Sequence, residues 1–262
     1  MIVQVEFRHR TYRQYGKVYK KPNQDNSSNP LIFYINTIKM HLLKIDDLHF
    51  ENMLSNHDSD GGNSINLSLS KLFVCMDNES SRFEVSIKVA ALNQLYSTAI
   101  QYISPVVNKI IDEVDENHKS FNENQYANLV DKISTATWQS STTGKDHSRC
   151  NLSFASKYVH FLSMYKIPIY DSYIWIVMIG YLKQYVSSTY SFTPPTSYKD
   201  FYDVFSKFKN HFKLNERSIY NIDKFLWQYG KNLIVQIIEE EKIELDKAKN
   251  VLKKRISFHV KE

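Results

Sequence analysis

Two apolar stretches joined across Pro168 constrain the fold of this chain more than any other feature of its sequence. The larger side chains of residues 153–164 recur at steps of three and four, which predicts a helix with one buried side. Pro168 lacks a backbone amide and cannot continue that helix. A second apolar run follows over residues 173–185, and Asp171 stands just before it, where a helix needs an N-cap. We therefore expect two buried helices with a sharp break between them.

Two charged residues lie in these apolar surroundings. Lys157 stands among apolar and aromatic neighbours, and Asp171 follows the run Ile-Pro-Ile-Tyr. A buried charge is costly unless it is paired or serves a chemical purpose, so the two residues are candidates for a functional pair. Three structural alternatives stay open: Asp171 is a helix cap, Lys157 is a surface lysine with a buried stem, and His160 is a hydrogen-bonded core histidine.

The composition favours a mainly helical globular protein. The chain has 262 residues, of which 42% are hydrophobic, so it can form one large domain or two small ones. Its 6 Gly and 6 Pro are too few for a loop-rich all-β fold. The formal net charge of +5 and the 18 Tyr suit a nucleic-acid partner, although a tyrosine-rich core explains the aromatic residues equally well.

The cysteines and the apolar runs bear on location and cofactors. Cys75 and Cys150 form neither a disulfide framework nor a Cys-x-x-Cys pair, which favours a reducing cytoplasm and argues against a cysteine-held zinc. The longest apolar run, residues 173–182, is about half of the roughly 20 residues that span a membrane. The N-terminus does not resemble a signal peptide. We expect a cytoplasmic monomer with no membrane contact, no metal site and no cofactor.

The helical patterns and the composition divide the chain into three regions. Residues 1–64 begin with a basic, aromatic arm, residues 1–21, which either contacts nucleic acid or forms a solvated edge strand. Residues 65–232 form the helical core, and residues 233–262 form a C-terminal helix docked on it. Polar loops are expected at residues 55–64 and 140–150. The other predicted helices cover residues 31–54, 65–75, 82–100, 106–114, 122–138, 198–212 and 233–256.

Four blocks of the sequence carry a resemblance to known families. They are LNQLYST at residues 92–98, SFASKY at 153–158, PIYDSY at 168–173 and IDKFLWQYGK at 222–231. This combination is similar to one that recurs in uncharacterised bacterial proteins, and it spans residues 65–232. Within it, Lys157 on a helix, followed by Pro168 and by Asp171 before the next helix, resembles the signature of the helix-hairpin-helix DNA glycosylases, above all their 8-oxoguanine branch.

The resemblance implies a fold, a reaction and a partner. The fold would be a helical domain like that of the helix-hairpin-helix glycosylases. Independently of the resemblance, the alternation of Val3, Val5 and Phe7 predicts a short N-terminal strand. In the implied reaction Lys157 attacks the sugar C1′, and Asp171 assists departure of the base and stabilises developing positive charge. The partner would be duplex DNA with a damaged or modified base flipped out of the helix. Whether the enzyme also has lyase activity, or uses water with Asp171, stays open.

The remaining candidate site residues are chosen for their chemistry. Aromatic and polar groups suited to a flipped base are His160, Tyr158, Tyr170, Ser172, Tyr173, Trp175, Asn93 and Trp227. Groups suited to the DNA backbone are Lys145, Arg149, Ser153, Ala155 and Ser156. For Asn93 an exposed helix face, and for Trp227 core packing, are the alternatives. The competing hypothesis for the whole chain is a non-catalytic nucleic-acid or protein interaction module, and either protein would suit bacterial defence against phage.

Overall fold

The structure, a computed structural model, describes residues 39–140 and 142–260. The predicted basic arm and the linker after it, residues 1–30, lie outside this part of the chain. Within the described residues, ten α-helices and one hairpin confirm a mainly helical fold. The elements are α1 (Asp47–Ser59), α2 (Gly62–Cys75), α3 (Arg82–Tyr96), α4 (Ile103–Glu113), α5 (Glu123–Ser134), β1 (Thr135–Gln139), β2 (Asp146–Cys150), α6 (Leu152–Leu162), α7 (Ser172–Tyr185), α8 (Tyr198–His211), α9 (Ile219–Glu241) and α10 (Leu245–Arg255).

Side-chain caps explain where several helices begin. The carboxylate of Asp46 accepts a hydrogen bond from the backbone amide of His49 at 2.8 Å, so α1 starts at Asp47. Residues 39–46 were predicted to be helical, and they are not. Asn122 and Gln125 form a reciprocal capping box at the start of α5. Other side-chain caps are those of Ser81, Asp171, Ser197 and Ser218.

Several further boundaries differ from the predicted pattern: the predicted helix 82–100 ends at Tyr96, and the predicted loop 140–150 includes β2. Most of the predicted loop 55–64 is helical, because Gly61 adopts a left-handed conformation (φ 84°) that turns the chain within two residues from α1 to α2. The predicted helix 122–138 ends early and continues as β1, which pairs with β2 in antiparallel register. The predicted helix 233–256 is divided at Lys242, whose left-handed backbone (φ 55°) ends α9.

The central helix α7 is buried over most of its length, with α9, α8 and α10 packed around it. Gly230 allows α9 to approach closely, since a Cβ there would lie 3.0 Å from the carbonyl oxygen of Tyr173. Helix α6 packs on α5, α3 and α2. The described residues belong to one compact unit, and α9 continues through the predicted boundary between residues 232 and 233. None of the described helices is long and apolar enough to cross a membrane.

Candidate active site

A cavity of about 470 Å³ lies between α2, α3, α6, the start of α7, α9 and α10. Ligand pockets in proteins are typically about 300 to 1,000 Å³, so this cavity has room for a molecule of nucleobase size. Its wall combines apolar side chains with a few polar groups from distant parts of the chain. The polar groups on which its chemistry depends are Lys157, Asp171, His160, Asp223, Asn66 and Tyr96.

Lys157 is a buried lysine on the inner side of α6. Its Nζ donates to Ser153 Oγ at 2.7 Å and to Asp171 Oδ2 at 3.4 Å. The ammonium group also lies 5.5 Å from the centre of the Tyr96 ring, within range of a cation–π attraction. The amine is thus held by three groups at the cavity wall, which contradicts the alternative of a surface lysine that reaches bulk water.

Asp171 uses its two carboxylate oxygens for different purposes. Oδ1 accepts the backbone amide of Tyr173 at 2.9 Å, which confirms that Asp171 is the N-cap of α7. Oδ2 faces the Lys157 amine. The helix-cap role and the proposed pairing with Lys157 therefore coexist in one side chain, and capping fixes the carboxylate beside the cavity.

The connection between α6 and α7 turns sharply enough to bring Lys157 and Asp171, 14 positions apart, to the same cavity. Two consecutive residues after α6, Met164 and Tyr165, adopt left-handed conformations with φ of 53° and 69°, which reverses the chain. The His160 Nδ1 then donates to the carbonyl oxygen of residue 167 at 2.6 Å. His160 therefore anchors the connection from inside the cavity wall.

Asp223 and His160 are buried side by side at the cavity wall, with Asp223 Oδ2 3.7 Å from His160 Nδ1. Asp223 Oδ2 accepts the amide of Ile169 at 2.8 Å, whereas Oδ1 has no hydrogen-bond partner within the described residues. Burial raises the pKa of the Asp223 carboxyl well above its usual range, and the Ile169 hydrogen bond and the charge of Lys157 offset this only in part. Burial lowers the pKa of His160 to about 4. Both side chains therefore favour their uncharged forms.

A chain of hydrogen bonds connects α2, α3 and α9 at another part of the wall. The Tyr96 hydroxyl donates to Asn66 Oδ1 at 2.6 Å, and Asn66 Nδ2 donates to the Tyr220 hydroxyl at 3.1 Å. Burial raises the pKa of Tyr96, which keeps its hydroxyl protonated. Sequence analysis missed these residues and Asp223, because helices far apart in the chain bring them together. The signal that could have found Tyr96 and Asp223 is their place in two of the blocks that carry the resemblance, residues 92–98 and 222–231.

Aromatic side chains border the cavity near the start of α7. Tyr173 and Trp227 meet edge to face, with ring centres 6.1 Å apart, and His57 contacts Trp227 in the same manner at 5.8 Å. The Lys249 amine lies 5.4 Å from the Tyr173 ring centre. Of the predicted base-binding residues, the structure brings His160, Ser172, Tyr173 and Trp227 to this cavity.

Tyr158 and Trp175 do not reach the cavity, and their prediction as base-binding residues is wrong. Tyr158 is fully buried on the other side of α6, where its hydroxyl donates to Glu79. Trp175 is buried against α8, and its Nε1 donates to the carbonyl oxygen of Phe192 at 3.3 Å. Both residues neighbour a cavity residue in sequence, but consecutive positions on a helix point in different directions.

Tyr170 and Asn93 were also predicted to hold a base, and they too lie outside the cavity lining. The Tyr170 ring packs edge to face on Phe201, with centres 5.3 Å apart. Asn93 closes the turn after α3, where its Oδ1 accepts the amide of Ile100 at 2.8 Å. Each of these two side chains stabilises the fold around the cavity.

The residues predicted to contact the DNA backbone fall into two groups. Ala155 and Ser156 are fully buried in α6, so a contact with DNA is wrong for both, and Ser156 Oγ instead accepts the amide of residue 170 at 3.0 Å. Ser153 is half-buried and holds the cavity lysine. Lys145 and Arg149 are exposed on the β1–β2 hairpin segment, outside the lining of this cavity. No group of three or more His, Cys, Asp or Glu residues in the described chain is arranged to hold a metal ion.

The fold and the cavity define a helical domain with a buried lysine–aspartate pair. The family model HI_0787_N, described as an N-terminal domain, matches residues 49–166. This matched span is similar to that family and extends from α1 through α6, so it includes Lys157 and His160 but ends before Asp171 and Asp223. No curated protein and no solved structure matches the chain.

Proposed function

We propose that this protein is a DNA glycosylase-like enzyme that cleaves the N-glycosidic bond of a damaged or modified base. The observation that carries the proposal is the cavity of about 470 Å³ shared by the Lys157 amine and the Asp171 carboxylate, whose nearest atoms are 3.4 Å apart. Helix capping alone requires no adjoining space of this size. The resemblance of the segment from Lys157 to Asp171 to the helix-hairpin-helix glycosylases supports the same assignment.

Lys157 is the proposed nucleophile. Its Nζ forms a bond to the sugar C1′ as the bond between C1′ and the base nitrogen breaks. The departing base takes the bonding electron pair, together with the proton that Asp171 has accepted from the amine. An amine attacks only when it is uncharged, and Asp171 Oδ2 is close enough to accept its proton. Opening of the sugar ring then gives a Schiff base, which borohydride reduces to a stable adduct.

A second route uses a water molecule in place of the amine. The Asp171 carboxylate then stabilises the positive charge that develops on the sugar, as carboxylates do in glycoside hydrolysis. Lys157 would hold that carboxylate in position. Both routes release a free base, but only the first leaves a covalent adduct, so the two are separable by experiment.

Two surface features support DNA as the substrate. Tyr173 and Trp227 offer aromatic faces at the cavity, and stacking on such rings is worth about 1–3 kcal/mol per base. Lys145 and Arg149 are exposed cations on the hairpin segment that leads directly into α6, and phosphate contacts of this kind supply sequence-independent affinity. The same helix therefore carries the proposed nucleophile and follows the proposed backbone contact.

The test uses DNA duplexes that each carry one damaged or modified base, beginning with 8-oxoguanine. Mass spectrometry detects free base, alkaline cleavage detects abasic sites, and borohydride trapping detects the adduct. We expect the wild-type protein to release base from at least one duplex and Lys157→Gln to form no adduct. Asp171→Asn should release base at least about 100-fold more slowly than the wild type. Peptide mapping of the adduct distinguishes Lys157 from Lys224 and Lys249, which also line the cavity.

Lys199→Gln is the matched control, because Lys199 is an exposed lysine of α8 that pairs with Asp203 outside the cavity. It should form the adduct as the wild-type protein does. The enzymatic proposal fails when no duplex in the panel is processed, or when Asp171→Asn releases base as fast as the wild type.

The competing proposal is a non-catalytic nucleic-acid or protein interaction module of a bacterial defence system. The observation in its favour is that both charged residues have a further hydrogen-bond partner: Lys157 bonds Ser153, and Asp171 bonds the Tyr173 amide. A pair with a purely structural role would have such partners. Salt-sensitive, sequence-independent DNA binding that is unchanged in Lys157→Gln, without any release of base, would support it.

A further inference from the structure

Asp223 is a buried acid at the cavity wall for which the proposed reaction has no use. We infer that Asp223 reads the base: its protonated carboxyl donates a hydrogen bond from Oδ1 to a carbonyl oxygen or an unprotonated ring nitrogen on the edge of a nucleobase. The inference rests on the proposed function, because it assigns the ligand of the same cavity. It makes Asp223 a specificity residue, separate from the Lys157–Asp171 pair.

The hydrogen bond from Ile169 determines which oxygen carries the proton. Oδ2 already accepts that amide at 2.8 Å, so in the uncharged acid the hydroxyl is on Oδ1. Oδ1 has no partner within the described residues although it is buried. An unpaired buried polar atom is destabilising, and such atoms are rare in native proteins. An acceptor on a bound ligand would satisfy this donor.

The surroundings favour the uncharged form of the Asp223 carboxyl. Burial raises its pKa well above the usual range for an aspartate. The charge of Lys157 lowers that pKa, but the neighbouring Asp171 carboxylate raises it and already pairs with Lys157. The titratable groups that face Asp223 come from four elements besides its own helix: Lys157 and His160 of α6, Asp171 before α7, Tyr198 of α8 and Tyr96 of α3.

His160 supplies the complementary acceptor. Its Nδ1 lies 2.6 Å from the carbonyl oxygen of Ile167, which can only accept, so Nδ1 carries the proton of the uncharged ring and Nε2 carries the lone pair. A donor on Asp223 and an acceptor on His160 match a base edge that presents an acceptor next to a donor, which is the pattern of nucleobase edges. An apolar ring of the same shape lacks this pattern.

The experiment measures the binding of free nucleosides and uses two variants of Asp223. The probes are 2′-deoxyguanosine, its 8-oxo derivative, 2′-deoxyadenosine, thymidine and the difluorotoluene isostere of thymidine, which has no comparable hydrogen-bonding edge. We expect at least one nucleoside to bind the wild-type protein. The affinity of the wild-type protein for the difluorotoluene isostere should be no higher than the affinity of Asp223→Ala for thymidine. Asp223→Asn keeps both hydrogen bonds, with its amide group donating in place of the hydroxyl, and should bind within about threefold of wild type. Asp223→Ala should bind about tenfold more weakly.

If Asp223→Ala does not fold, nucleoside affinity measured over a pH series tests the role of Asp223 instead. Raising the pH ionises the carboxyl and removes the donor, so the affinity of the wild-type protein for the nucleoside should fall, while that of Asp223→Asn should stay constant. Circular dichroism establishes which variants are folded. The inference is overturned when Asp223→Ala binds as the wild type does, or when Asp223→Asn loses binding to the same extent as Asp223→Ala.

The duplex assay run on the same variants separates this inference from the proposed function. Equal release of base by wild type and Asp223→Ala would overturn the inference and leave the glycosylase proposal standing. Nucleoside binding that depends on Asp223, without processing of any duplex, would retain a base-binding cavity and overturn the enzymatic proposal. The absence of both nucleoside binding and base release overturns both.

Discussion

Among the described residues, two lysine–carboxylate pairs are largely buried, and they differ in what surrounds them. Lys88 of α3 pairs with Glu79, and the two side chains are 0% and 4% exposed. Lys157 pairs with Asp171, and these side chains are 4% and 20% exposed. We call the first the sealed pair and the second the open pair, because only the second lines the cavity of about 470 Å³.

The sealed pair is a closed network within the core. Lys88 Nζ donates to the carbonyl oxygen of Met76 at 3.1 Å and to one oxygen of Glu79, while the other Glu79 oxygen accepts the hydroxyl of Tyr158. The Lys88 amine also lies 5.3 Å from the centre of the Phe73 ring. Its interactions join the α2–α3 connection to α6, so the pair stabilises the fold.

The open pair divides its interactions between the fold and the cavity. Asp171 caps α7 with one oxygen and faces Lys157 with the other, and Ser153 holds the amine from the opposite direction. The comparison shows that burial and pairing alone do not indicate whether a lysine has a structural or a chemical role. What distinguishes the two pairs is an adjoining space in which a third molecule can reach both groups.

The largest expected effect on stability comes from breaking the sealed pair. Lys88→Met should lower the free energy of unfolding by about 3–5 kcal/mol, because Glu79 loses its buried cation. Lys157→Met should cost only about 1 kcal/mol, since Asp171 keeps its cap and part of its solvent contact. Urea denaturation at neutral pH measures both values. Equal losses would show that the two pairs do not differ in the way that their exposure indicates.

Sequence alone predicted the open pair far better than it predicted the cavity around it. The break at Pro168 and the cap position of Asp171 are local signals, so α6, α7 and the cap could be read from neighbouring residues. Asp223, Asn66 and Tyr96 reach the same cavity from other helices, and helix packing rather than local pattern decides which of their sides face inward. The β1–β2 hairpin was not predicted, because the helical pattern of residues 122–138 runs into β1 and no glycine or proline there marks the end of the helix.

Acid should destabilise the protein in part through His160, which lies beside the open pair. His160 has a pKa of about 4 in the folded protein and 6.5 as an ordinary side chain. The unfolded chain therefore binds the proton more readily, so the stability that uncharged His160 contributes is present above pH 6.5 and is lost as the pH falls toward 4, by up to about 3 kcal/mol. His160→Gln, which does not titrate, should lose less stability than wild type between pH 7 and pH 4.5 in urea denaturation.

Asp223 provides the control of opposite sign. Its folded pKa lies above the unfolded value, so the native state binds the extra proton and the wild-type protein loses stability as the pH rises between those two values. Asp223→Asn removes that titration, and its stability relative to wild type should increase as the pH is raised. A relative stability that falls with rising pH would contradict an uncharged Asp223.

The cap and the proposed chemistry of Asp171 can be separated by two substitutions. Asp171→Ala should cost about 1 kcal/mol for the lost N-cap and a further amount for the Lys157 amine that it leaves unpaired, while Asp171→Asn should cost less, because asparagine caps equally well. Asp46→Ala is the matched control, since Asp46 caps α1 outside the cavity lining. It should cost about 1 kcal/mol in chemical denaturation, the cap contribution alone, and leave the release of base unchanged. A loss of base release in Asp46→Ala would attribute the effect of Asp171→Ala to stability.

The smallest expected effect comes from an exposed reference pair, Lys199 and Asp203 on α8, whose side chains are 63% and 54% exposed. A double-mutant cycle with Lys199→Ala and Asp203→Ala should give a coupling energy below about 0.5 kcal/mol that declines as salt is added. The corresponding cycle for Lys157→Ala and Asp171→Ala should give a larger coupling that changes little with salt, because ions screen a buried pair less effectively. If both couplings declined together, bulk solvent would reach the open pair as freely as it reaches the surface, and the cavity would not provide the enclosed site that an amine nucleophile needs.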